Sequence, residues 1–157
     1  MRTVKLVFIE DDIDVLQSIA EFFSYRDRRR FGSIEIDIDF ILVGNESPTN
    51  RDRMPLNLKD KLDFYTSESE ILNIIDQERY DMIFIDFVMP GIDTRNLLDE
   101  IVLLSQDYRP AKVLLSGSVS KAIADELLRS EKISKNFVKP LEFSELLDYI
   151  KDYFIID

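Results

Sequence analysis

The chain has 157 residues, 45% of them hydrophobic and 32% charged, which suits one globular domain with a real core. A formal net charge of −11 argues against the basic face that nucleic acid or an anionic membrane would need. With neither Cys nor His, the chain excludes disulfides, zinc fingers, Cys nucleophiles and His-based triads.

Residues 4–9 (VKLVFI) are a short apolar run closed by Glu10, Asp11 and Asp12, the pattern of a buried strand with acids at its carboxyl end. The run is too short for a secretory leader, and no stretch approaches a membrane span, so the cytoplasm is the expected compartment. A helix is predicted over about 12–25, where Leu16, Ile19, Ala20 and Phe23 share one face and Asp12 suits the N-cap. Arg26, Arg28, Arg29 and Arg30 follow as a basic run, read as a solvated helix end or as a docking site for an acidic partner. Ile34, Ile36, Ile38, Phe40 and Leu42 then alternate with Glu35, Asp37 and Asp39, which predicts a strand with one wet face. The polar stretch 44–61 reads as a loop and LDFYT (62–66) as another strand. These two strands are expected as an antiparallel pair at the sheet edge, with either able to serve as the second core strand. A free edge also leaves a homodimer open.

Ser67 and Glu70 have capping-box spacing and should start a helix. The apolar run 82–85 (MIFI) is closed by Asp86 and followed by FVMPG. Leu97, Leu98, Ile101 and Leu104 mark the next helix, and 113–115 a strand closed by Ser116. A helix from Ser120 to Arg129 carries Ile123 and Leu127, and 136–138 is a short strand before Lys139-Pro140. The last helix aligns Phe143, Leu146, Leu147, Ile150 and Phe154. Strands alternating with helices predict an α/β protein with a mostly parallel sheet and right-handed crossovers.

Polar groups therefore close four buried strands, and in an open parallel sheet those ends share the edge where ligands bind. Asp86 is the candidate nucleophile, because a carboxylate can accept a phosphoryl group as an acyl phosphate. Asp11 beside Asp86 supplies carboxylates for magnesium, with Glu10 able to act through a water. Lys139 offers a point charge and Ser116 a hydroxyl to phosphoryl oxygens. The backbone N–H groups of Val88 and Gly117 can complete the cradle. Val88 and Ser118 flank the site and can tune access of water.

The segments FIEDD, FIDFVMPG, LLSGS and FVKP, in this order over nearly the whole chain, resemble the receiver domains of bacterial two-component response regulators. The resemblance implies a flavodoxin-like, doubly wound, five-stranded parallel sheet of order 2-1-3-4-5. It implies Asp86 as phosphoacceptor, Glu10 and Asp11 as the acidic pair for Mg, a metal ligand from the Val88 carbonyl, and Ser116 and Lys139 on the phosphoryl group. It also implies a cis peptide at Lys139-Pro140 and a histidine kinase or histidine phosphotransfer protein as donor. Thr94 stands where the family usually has Gly, and Ser116 where Thr is also common. Asn136 occupies the usual Tyr or Phe switch position, which Phe137 should not replace because it faces the opposite side of its strand. The longer spacing between Asp11 and Asp86 implies an insertion at about 27–61 within a single domain spanning 1–157.

The expected function is a stand-alone receiver that signals by protein contact or phosphorelay, since the chain ends soon after its last helix. It would catalyse only its own phosphorylation and dephosphorylation. One rival is an aspartate-nucleophile phosphohydrolase, which usually needs a second acid where this chain has Val88. Another is a receiver-like binding or dimerisation module that is never phosphorylated.

Overall fold

The apolar run that opens the sequence becomes the strand on which the sheet is built. The structure, a computed structural model, describes residues 1–44, 53–117 and 121–155. Ser118, Ser120 and residues 45–52 of the expected loop lie outside them. Strand β1 (Arg2–Glu10) leads through helix α1 (Ile13–Phe22) and a 3-10 turn (Arg26–Arg28) to the short β2 (Arg30–Phe31) and the long β3 (Ile34–Val43). Then come α2 (Leu56–Lys59), β4 (Leu62–Tyr65), α3 (Glu68–Glu78) and β5 (Met82–Asp86). A two-strand ribbon of β6 (Val88–Met89) and β7 (Ile92–Asp93) precedes α4 (Thr94–Val102). The chain closes with β8 (Ala111–Ser116), α5 (Lys121–Arg129), β9 (Lys135–Val138) and α6 (Phe143–Ile155).

The main sheet runs β2-β3-β1-β5-β8-β9, with β4 also paired to β3. Its pairings are parallel except β2 with β3. The five strands β3-β1-β5-β8-β9 reproduce the flavodoxin-like order 2-1-3-4-5, with β2 and β4 as additions on the outer edge. The alternating strand Ile34–Val43 is thus the second core strand, in register with β1 from Arg2↔Ile34 to Glu10↔Leu42.

Two expectations for this edge need correction. LDFYT forms β4, but parallel to β3 and not as a hairpin partner, because α2 intervenes and a crossover returns the chain in the same direction. The antiparallel partner of β3 is β2, joined through Gly32, whose φ of +58° suits a tight turn. The wet face is confined to the first part of β3: Glu35, Asp37 and Asp39 are half-buried, whereas Ile41, Leu42 and Val43 are all buried. Ile41 and Val43 pack with Ile71 and Ile75 of α3.

Side chains alternate across the central strands and fill two cores. On one face Leu6, Phe8 and Phe84 pack against α1, α2 and α6 through Leu16, Ile19, Leu58, Leu146 and Ile150. On the other, Val7, Ile9, Ile83 and Ile85 pack against α3, α4 and α5 through Ile71, Leu98, Ile101 and Leu127. Two helices start where their caps predict, with Asp12 accepting from Asp14 N–H and Ser67 from Glu70 N–H, and Asp93 likewise caps α4 by accepting from Asn96 N–H. Helix α1 stops at Phe22, short of Tyr25, so the arginine run is not a helix end. Arg28 instead stacks 4.2 Å from the Phe22 ring and 4.5 Å from the Tyr25 ring, and Arg30 pairs with Glu35 at 3.2 Å.

Phe8 holds the first core together. Its ring stacks 4.3 Å from Phe84 and 5.9 Å from Phe40 and tilts against Phe23 at 6.4 Å, with no exposed surface. Truncating such a ring leaves a cavity the sheet cannot close. Phe8→Ala should lower unfolding free energy by about 3–5 kcal/mol, measured by urea denaturation.

Candidate functional site

Parallel register carries the polar strand ends to one edge. Ile9 lies opposite Ile85, Asp86 opposite Leu115 and Ser116 opposite Val138. Glu10 therefore ends β1 next to Asp86, Ser116 ends β8, and Lys139 follows β9, where its N–H donates to the Ser116 carbonyl at 2.8 Å. The Lys139-Pro140 peptide is cis.

One oxygen from each of Glu10, Asp11 and Asp86 lies within 4.8 Å of the others. The Lys139 ammonium bridges the cluster, at 2.7 Å from Glu10 Oε2 and 3.1 Å from Asp86 Oδ1. Glu10 is fully buried, and its other oxygen, Oε1, accepts from the N–H groups of Asp11 (3.0 Å) and Asp12 (3.2 Å). Asp12 spends its own side chain on capping α1, as its position suggested.

Burial dominates the electrostatics. It pushes the Glu10 carboxyl up to about 8, and the hydrogen bond with Asp11 pushes the same way against the pull of Lys139. Burial also raises Asp86, again against the opposing effect of Lys139. For Lys139, burial favours the neutral amine, but the hydrogen bond to Glu10 and the charges of Glu10 and Asp86 outweigh it and raise the group. Three carboxylates this close, two of them buried, form a hard-oxygen donor set short of positive charge, which fits a magnesium-sized cation.

Ser116 and Asn136 meet, as neighbours across the β8–β9 pair. The buried Ser116 hydroxyl donates to Asn136 Oδ1 at 2.8 Å. Phe137 faces the core and packs edge-on against Tyr149 at 5.7 Å. Val88 is exposed in the β6–β7 ribbon, and Gly117 has open space where a Cβ would sit. Thr94 is a site residue that the sequence marked only as a departure: it is buried, and its hydroxyl donates to the Asp86 carbonyl at 3.0 Å. The available signal was a small hydroxyl residue directly after the Asp93 cap. It places the start of α4 against the end of β5.

No protein-family model and no curated protein matches this sequence. Solved structures do resemble it. The adenylate cyclase from Rhodopirellula baltica is 15% identical with a TM-score of 0.63, over 96% of this chain and 86% of that one. The REC domain of AraT, a response regulator from Geobacillus stearothermophilus, is 15% identical with a TM-score of 0.60, over 96% and 94%. A response regulator receiver domain protein from Clostridium thermocellum is 18% identical with a TM-score of 0.61, over 95% and 92%.

The raised Glu10 sets a pH dependence. A carboxyl bound more tightly to its proton in the folded state destabilises that state when it ionises. The penalty is absent below the ordinary 4.5 and complete above about 8. Without divalent cations the protein should therefore lose stability as pH rises through this window. Glu10→Gln should remove most of that loss, read in paired thermal melts at the two ends of the range.

Proposed function

We propose that this chain, which has the fold of a response regulator receiver domain, belongs to that family and accepts a phosphoryl group on Asp86. The observation that carries this reading is the Asp86 carboxylate at the strand edge, 3.1 Å from the Lys139 ammonium and grouped with Glu10 and Asp11. A buried carboxylate held by a fixed cation is oriented for in-line attack. In the proposed step an Asp86 oxygen bonds to phosphorus as the phosphorus–nitrogen bond of a partner's phosphohistidine breaks, and the imidazole leaves with the electron pair. The donor is a histidine kinase or histidine phosphotransfer protein. Glu10, Asp11, Asp86 and the Val88 carbonyl would hold magnesium, which when bound supplies positive charge to the phosphoryl oxygens.

Lys139 would pass from Asp86 to a phosphoryl oxygen, because phosphorylation removes the carboxylate charge it now faces. The Ser116 hydroxyl would turn from Asn136 toward the same group, and the N–H groups of Val88 and Gly117 would donate alongside it. Ser116 and Asn136 are then the switch pair, in place of an inward-turning aromatic ring. Output passes to a protein partner or a second histidine, in the cytoplasm, with no external metabolite as substrate. A phosphohydrolase is disfavoured because Val88 has no carboxylate to act as general acid.

Incubation with acetyl phosphate and magnesium should add one phosphoryl group to the intact mass, and Asp86→Asn or removal of the metal should abolish it. If no adduct forms, even with a stoichiometric histidine-kinase donor, the reading fails and a binding module replaces it. Asp11→Asn should weaken magnesium binding by about tenfold or more, read by calorimetry.

A further inference from the structure

The bond between Thr94 and Asp86 closes a small unit of backbone. Beyond Asp86 the chain turns back on itself as the β6–β7 ribbon, where Val88 lies opposite Asp93 and Met89 opposite Ile92. Gly91, with a φ of +77°, lies in the turn between them. The Thr94 hydroxyl donates to the Asp86 carbonyl at 3.0 Å and so forms the base of this ribbon. Thr94 is 2% exposed, which leaves water little access to the bond.

The start of α4 is fastened from a second direction. The Glu68 carboxylate of α3 accepts from the Asp93 N–H at 2.7 Å with one oxygen and from the Asn96 side-chain amide at 2.9 Å with the other. Thr94, the first residue of α4, lies between these two contacts in sequence. Its hydroxyl therefore ties the backbone of Asp86 to a helix end that is itself held. Glycine, usual at this position in receiver domains, has no hydroxyl to offer, so the restraint is an addition of this chain. A nucleophile held in one geometry reacts faster, and a small displacement forfeits much of that gain. We propose that Thr94 is a positioning residue for phosphoryl transfer, fixing the backbone of Asp86 and, through the ribbon, the Val88 carbonyl relative to it. The inference rests on Asp86 being the phosphoacceptor.

The test follows adduct formation by intact mass against acetyl phosphate concentration, with magnesium saturating for each variant. In this reaction an Asp86 oxygen bonds to phosphorus and acetate leaves with the electron pair. Thr94→Val keeps the shape of the side chain and removes the donor. It should lower the maximal rate about tenfold or more and leave the half-saturating acetyl phosphate concentration unchanged. Thr94→Gly should show the same loss, which preserves the test if Thr94→Val does not fold. Thr94→Ser retains the donor and should restore the rate, whereas a role confined to packing would leave it as slow as Thr94→Val. The inference alone is overturned if the wild type forms the adduct and the variants lacking the hydroxyl match its rate, if Thr94→Ser fails to rescue, or if only the half-saturating concentration changes. A wild-type chain that forms no adduct overturns the phosphoacceptor reading and this inference with it.

Discussion

The site depends on one ammonium. Glu10 and Asp86 are removed from water at neighbouring strand ends, and Lys139 is the cation that reaches both, at 2.7 and 3.1 Å. Two buried carboxylates without such a partner would repel each other and seek protons. Even with it, burial keeps both acids above their ordinary range. The arrangement is folded yet short of positive charge, a condition that either a divalent cation or a proton relieves. Loss of Lys139 would leave the acids to protons or metal alone, so its role in holding the apo fold precedes any role in catalysis.

The backbone makes this convergence cheap. A parallel sheet places every carboxyl end on one edge, and β1, β5, β8 and β9 are adjacent in the order needed. Strands β1, β5 and β8 supply apolar residues to both cores and end on a polar group where the chain emerges, whereas β9 sends only Phe137 inward. Turn geometry then fixes the details. The Asp11 and Asp12 N–H groups fold back onto Glu10, and the Lys139 N–H is tied to the Ser116 carbonyl.

The sequence was legible where one residue type has one physical explanation. Acids closing VKLVFI, an acid closing MIFI and a lysine closing NFV each point to strand ends, and the caps Asp12 and Ser67 mark helix starts that the structure reproduces. The outer edge was harder to read. Alternation in 34–43 signals a strand but not its neighbours, and β4 is too short for its pattern to reveal direction. Whether two such strands pair parallel or antiparallel depends on what joins them, here α2, whose four residues carry little periodicity. The Ser116–Asn136 bond was hidden for a different reason: hydroxyl and amide partners far apart in sequence are identified only by register across β8 and β9.

That register also gives the site two unlike halves. On the acid side, β1 is paired with β3 along its whole length, up to Glu10↔Leu42, and β4 backs the last four residues of β3. Glu10 is thus held by its pairing with Leu42 of β3, and sliding β1 would also break its pairs with β5, which run to Ile9↔Ile85. On the other side, the Ser116 hydroxyl is held by a single hydrogen bond to the side chain of Asn136, on the edge strand β9. Turning a hydroxyl costs far less than sliding a strand, because one side-chain hydrogen bond is worth about 1 kcal/mol net. A change of charge at Asp86 would therefore be answered by β8 and β9 before β1. The face formed by β9 and its flanking helices α5 and α6 is where such a response would reach the surface.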